Sequence, residues 1–123
     1  MADLTKVVLD AMGGDHAPGE MVKGAVDAVS RRQDIKVFLV GQEAVVREEL
    51  DKYTYPKEQI EVVGATEKIE TAEPPVMAIR KKKDSSIVVG MNLVKKGEAD
   101  AFVSAGNSGA VLVGGQLIVG RIK

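Results

Sequence analysis

The stretch Lys6-Val-Val-Leu-Asp-Ala-Met-Gly-Gly-Asp-His-Ala-Pro18 runs from a short, almost unbroken apolar segment into a glycine-rich turn. An apolar run without polar alternation suits a strand buried on both faces, and such strands occur in parallel sheets covered by helices. Adjacent glycines permit φ > 0 and let backbone N–H groups approach oxygen atoms that a Cβ would hold away. Parallel α/β sheets bind ligands at the carboxyl ends of their strands, so the same turn is a candidate anion site. A second copy of the arrangement lies far along the chain, where Ala101-Phe-Val103 leads into Ser104-Ala-Gly-Asn-Ser-Gly-Ala110. Two such turns in one small chain point to one shared site.

The segments between them alternate in type. Pro18 suits a first helical turn, after which Met21, Val22, Ala25, Val26 and Val29 keep helical spacing while Glu20, Lys23, Asp27 and Arg31 take the other face. Lys36 to Val40 reads as a second strand ending at Gly41, and the next segment carries Glu43 with Arg47 and Glu48 with Lys52 at the i,i+4 spacing of an exposed helix face. Ile60 to Val63 is a third strand closed by Gly64. A polar loop from Ala65 to Glu73 follows, and Pro74 and Pro75 open a short helix. Ser85 is placed to cap a helix with Ile87, Val88, Met91 and Val94 on one side, Lys95 and Lys96 in its last turn, and Gly97 at its end. Ala101 to Val103 is the fourth strand. Ala110 to Val119 is apolar on nearly every side, which predicts a helix buried on more than one face and ended by Gly120.

Strands alternating with helices, without hairpin signals, predict an α/β fold: a three-layer αβα sandwich around a mostly parallel sheet with right-handed crossovers. The last apolar segment has no further strand to lie against, so residues 1–123 are expected to form the N-terminal portion of one α/β domain, truncated after Lys123.

With 45% hydrophobic and 28% charged residues, the 123-residue chain has the composition of a soluble globular domain. Aromatic residues make up only 3%, which requires an aliphatic core and leaves little surface for stacking bases. The net charge of −1 lacks the basic excess of a DNA-binding domain, so nucleic acid is not an expected partner. Cysteine is absent, which excludes disulfides and thiolate chemistry and agrees with a cytoplasmic location. The first residues lack the apolar stretch of a secretory signal, and Ala110 to Val119 is far shorter than the roughly 20 residues that span a bilayer.

The candidate site residues fall on the two turns. In the first, Gly13 and Gly14 supply backbone freedom, and the following helix start leaves N–H groups unpaired that attract phosphate. Asp10 and Asp15 would repel phosphate unless they accept backbone N–H bonds, bind a cation or orient a neighbour; as turn and cap residues they need no chemistry. His16, the one histidine, has the ordinary pKa to donate to a phosphate oxygen or act as a general acid, and equally suits a turn residue bonded to backbone. With no second histidine and no thiol, no metal site is expected. In the second turn Ser104, Asn107 and Ser108 are neutral donors beside Gly106 and Gly109, suited to an anion or oxyanion or simply to capping a helix. Neither turn is a G-x-G-x-x-G dinucleotide fingerprint or a P-loop, and no G-x-S-x-G elbow occurs. Arg80-Lys-Lys-Lys83 is the one local basic run. It reads as a solvated helix end favoured by the dipole, or as a docking patch for an acidic protein.

Asp10-Ala-Met-Gly-Gly-Asp-His-Ala-Pro18 and Gly97-Glu-Ala-Asp-Ala-Phe-Val-Ser-Ala-Gly-Asn-Ser-Gly-Ala110 closely resemble the two N-terminal signatures of the phosphate acyltransferase family of bacterial phospholipid synthesis. Ser108 stands where that family commonly has threonine, which keeps the hydroxyl. The resemblance covers essentially the whole chain, and family members continue well beyond Lys123. It implies transfer of a fatty acyl group from an acyl carrier protein thioester to inorganic phosphate, giving acyl phosphate without an organic cofactor. It further implies a fold like that of the isocitrate and isopropylmalate dehydrogenases and a homodimer, with any peripheral membrane contact made by the part beyond this chain. In that chemistry Asp10, Gly13, Gly14, Asp15, Ser104, Gly106 and Gly109 would surround phosphate, with His16, Asn107 and Ser108 as candidate catalytic groups. A phosphotransacetylase-like enzyme is the nearest alternative, and a non-catalytic phosphate-binding or self-associating fragment the other.

Overall fold

The structure, a computed structural model, describes residues 4–13, 17–67, 69 and 74–104. Four strands carry the sheet: β1 (Thr5–Asp10), β2 (Ile35–Gly41), β3 (Ile60–Gly64) and β4 (Ala101–Val103). Four α-helices connect them: α1 (Gly19–Arg31), α2 (Glu43–Leu50), α3 (Pro75–Lys81) and α4 (Ser86–Lys95). All pairings are parallel and the strand order is β3-β2-β1-β4. The alternation read from the sequence therefore yields an α/β fold with an all-parallel sheet.

Side chains alternate across the sheet and define two apolar layers. Val37 and Leu39 of β2 pack with Val22, Ala25, Val26 and Val29 of α1 and with Val46 and Leu50 of α2 on one face. Val8, Phe38 and Val40 point to the other face, against Val89, Leu93 and Val94 of α4. Beyond α4, Ala78 and Ile79 of α3 pack on Ile87, Val88 and Met91. Gly90 makes the approach of α4 to the sheet possible, because a Cβ there would lie 2.6 Å from Phe102 and 2.9 Å from Val8.

The predicted helix starts and stops are seen. Ser85 Oγ accepts the Val88 N–H at 3.2 Å, as a capping serine should. Gly97, at φ +78°, takes the left-handed conformation beyond the end of α4. Pro18 stands one residue before α1, and its carbonyl accepts the Val22 N–H at 2.9 Å. One ion-pair expectation needs correcting. Glu43 and Arg47 pair at 3.0 Å, but Lys52 pairs with Glu49 rather than Glu48. Lys52 lies beyond Leu50, where α2 has ended and the i,i+4 geometry no longer holds. The predicted helix at Ala110 to Val119 lies outside the described residues.

Candidate functional site

From β1 the chain moves outward through β2 to β3, then returns to place β4 on the other flank of β1. This reversal opens a crevice between β1 and β4 at their carboxyl ends, the topological switch point at which open α/β sheets bind ligands. Both glycine-rich turns begin there. The register pairs Val7 with Ala101, Val8 with Phe102 and Leu9 with Val103, so the next residues, Asp10 and Ser104, face one another.

They are bonded. Ser104 Oγ donates to Asp10 Oδ2 at 2.8 Å, across 94 positions of sequence. The second carboxylate oxygen, Oδ1, accepts the Met12 N–H at 3.0 Å. Asp10 is 1% exposed, and a buried carboxylate is tolerated only when its oxygens have donors. Of the roles open to it from sequence, Asp10 thus accepts a backbone N–H and orients a neighbour. The far end of the same seam is also held by a carboxylate, since Asp100 Oδ2 accepts the Lys6 N–H at 2.8 Å while the Asp100 N–H bonds the Lys6 carbonyl at 2.7 Å.

The first turn is anchored from within. Ala11 and Met12 are buried, and Met12 lies in the gap left by Gly41, where a Cβ would come within 2.9 Å of its side chain. The Ala11 N–H donates to the Val40 carbonyl at 2.9 Å, and the Gly13 N–H to the Asp10 carbonyl at a long 3.4 Å. Of the first three amides after Asp10, only that of Gly13 is held weakly enough for an anion to recruit. Among the candidates, Asp10, Gly13 and Ser104 are thus gathered at one point. Gly14, Asp15, His16, Gly106, Asn107, Ser108 and Gly109 lie outside the described residues.

Sequence reasoning left the loop after β3 without a geometry. Thr66 donates through its N–H at 2.9 Å and its hydroxyl at 2.5 Å to Asp84 Oδ2, and these bonds hold the Asp84 carboxyl below the ordinary carboxylate range. Glu67 forms a parallel bridge with Ser85, and its carbonyl accepts the Ser86 N–H at 3.3 Å. The start of α4 is thereby tied to the carboxyl end of the sheet. The signal was an aspartate directly ahead of the Ser85-Ser86 helix start, but nothing local named Thr66 as its partner. Among the described residues no group of three or more His, Asp or Glu is placed to hold a metal ion, and no helix is long and apolar enough to cross a membrane.

Residues 5–123 match the family described as fatty acid synthesis protein. The chain belongs to that family. Within it, the chain is 57% identical over 118 residues to a phosphate acyltransferase of Alkaliphilus oremlandii, covering 96% of this chain and 35% of the relative. A phosphate acyltransferase of Clostridium beijerinckii is 53% identical over the same share of each chain. One from Clostridioides difficile is 49% identical, over 96% of this chain and 34% of its own length. The chain therefore spans about a third of the length of these family members.

Proposed function

We propose that this chain forms the phosphate-binding N-terminal portion of an acyltransferase that moves a fatty acyl group from an acyl carrier protein thioester to inorganic phosphate. The observation that carries the reading is the Asp10–Ser104 bond, which joins the residues at which the two signature turns begin, at the switch point of a parallel sheet. A phosphate oxygen attacks the thioester carbonyl, the C–S bond breaks, and the acyl phosphate and the carrier thiol depart. Phosphate is itself the nucleophile, so the protein's task is to position it and to stabilise the developing oxyanion.

In this reading Asp10 and Ser104 form the base of the phosphate site and hold the turns in register. The anion lies over the backbone of Gly13, Gly14, Asp15 and His16 and of Gly106 and Gly109. Asn107 and Ser108 supply neutral donors to phosphate and oxyanion, and His16 protonates the leaving sulfur. The sheet is one part of an αβα sandwich like that of the isocitrate and isopropylmalate dehydrogenases. The intact enzyme assembles as a homodimer, as the resemblance to the phosphate acyltransferase family implies. The enzyme works in the cytoplasm without an organic cofactor, and any contact with the membrane is peripheral.

The test is an NMR titration with phosphate at constant ionic strength, following the amides of residues 13–16 and 106–109. Shifts at both turns with one dissociation constant are expected. A folded spectrum with no shift at either turn would refute a phosphate site within this chain.

A further inference from the structure

The helix α3 combines features that helix geometry alone does not explain. Its inner side, Ala78 and Ile79, is buried against α4, while Val76 and Met77 are 44% and 52% exposed. Helical spacing sets Val76 beside Arg80 and Met77 beside Lys81, so an apolar pair is followed one turn later by two exposed cations on the same outer surface. Lys83 is exposed just beyond, and Lys81, Lys82 and Met77 border a shallow groove with Pro74 and Ala78. Among the described residues Arg32, Lys36, Arg47 and Lys52 each meet a carboxylate, whereas Lys23, Arg31, Lys57, Lys95 and Lys96 do not, so what sets α3 apart is the clustering of its cations beside exposed apolar side chains. Arg80, Lys81 and Lys83 make no ion pair among the described residues, although the whole chain carries a net charge of −1.

Position adds the second observation. Asp84, directly after the basic run, is held by Thr66 just past the end of β3. The basic end of α3 therefore stands at the carboxyl edge of the sheet, the edge at which Asp10 and Ser104 meet.

We propose that the outer surface of α3, from Val76 to Lys83, docks an acidic helix of a partner protein. Carboxylates of that helix meet Arg80, Lys81 and Lys83, and its apolar stripe lies on Val76 and Met77. The occupant follows from charge complementarity, because the exposed Arg80, Lys81 and Lys83 beside an adaptable methionine suit an acidic amphipathic helix. This inference rests on the proposed acyl transfer, in which the partner is the carrier that delivers the thioester to that edge.

The experiment measures fluorescence anisotropy of labelled palmitoyl–acyl carrier protein against this chain at low and moderate salt. Arg80→Glu/Lys81→Glu is expected to weaken binding by about tenfold or more and to remove most of the salt dependence. Met77→Ser is expected to weaken it several-fold with the salt slope kept. Lys95→Glu/Lys96→Glu, at the far end of α4, serves as the control and is expected to change binding less than about twofold. Equal weakening by the control, no effect of the α3 changes, or no binding by the parent chain would overturn the proposal. So would a loss confined to phosphatidylglycerol vesicles, which would mark α3 as a membrane contact. The phosphate titration is run on the same variants. Intact phosphate binding with carrier binding indifferent to α3 removes the docking surface alone, whereas carrier binding through α3 without phosphate shifts removes the site reading alone.

Discussion

Replacing Ser104 by alanine tests whether the β1–β4 crevice is held as described. The substitution removes the donor to Asp10 Oδ2 and leaves a buried carboxylate with the Met12 N–H at Oδ1. A hydrogen bond to a charged group contributes about 1.5–3 kcal/mol, and a neutral one about 0.5–1.5 kcal/mol. Ser104→Ala is therefore expected to cost about 2 kcal/mol with Asp10 present. In an Asp10→Asn background the same change is expected to cost about 1 kcal/mol, because an asparagine retains only a neutral partner. The difference of about 1 kcal/mol is the coupling between hydroxyl and charge, and any further contact of Ser104 cancels from it. Urea denaturation of the four proteins, followed by circular dichroism, measures it. Equal costs of Ser104→Ala in the two backgrounds would refute the reasoning. Ser104→Thr, which keeps a hydroxyl, should restore most of the loss.

Two helical glycines should respond oppositely to alanine. Gly24 in α1 has nothing within 4 Å of an added Cβ, so Gly24→Ala should stabilise by about 0.5–1 kcal/mol in a urea titration. At Gly90 a Cβ would meet Phe102 at 2.6 Å, and overpacking of about 1–3 kcal/mol outweighs the helix gain, so Gly90→Ala should be destabilising. Thermal melts of Asp84→Asn against the parent should show a pH-dependent difference. The folded-state pKa of Asp84 is depressed, so its contribution is present above the ordinary carboxylate value and is lost as pH falls through the depressed one. The two melting curves should converge in acid, and a gap that widens there would count against the Thr66 contact. Gly41→Val should displace Met12 and shift the Met12 and Gly13 amide resonances, and an unchanged first turn would contradict the packing.

Much of the fold could be read from the chain because its signals are local. Apolar runs ending in glycine, the Ser85 cap and Gly97 mark where elements begin and stop, and each acts through neighbours a few residues away. Strand order is different. Nothing near Ala101 states that β4 pairs with β1 rather than β3, since that choice depends on which apolar faces α1 and α4 cover. The same division holds at the site. Asp10 and Ser104 were recognisable as members of glycine-rich turns, but their bond depends on a long-range register. Thr66 was hidden for the same reason, because its partner Asp84 comes from a different connection. Lys52 shows the limit even of local rules, which fail where a helix ends two residues short of the side chain concerned.

The crevice is also a clock for the chain's own synthesis. Asp10 emerges from the ribosome 94 residues before the serine that completes its carboxylate shell. Until β4 arrives, β1 has an open flank and Asp10 lacks its hydroxyl donor. Closing a loop of that length carries a larger entropic cost than forming a local helix or the β1–β2 pairing. The bond that joins the two turns therefore forms only once β4 lies beside β1. A chain made only as far as α4 would present β1, β2 and β3 without the Asp10–Ser104 bond.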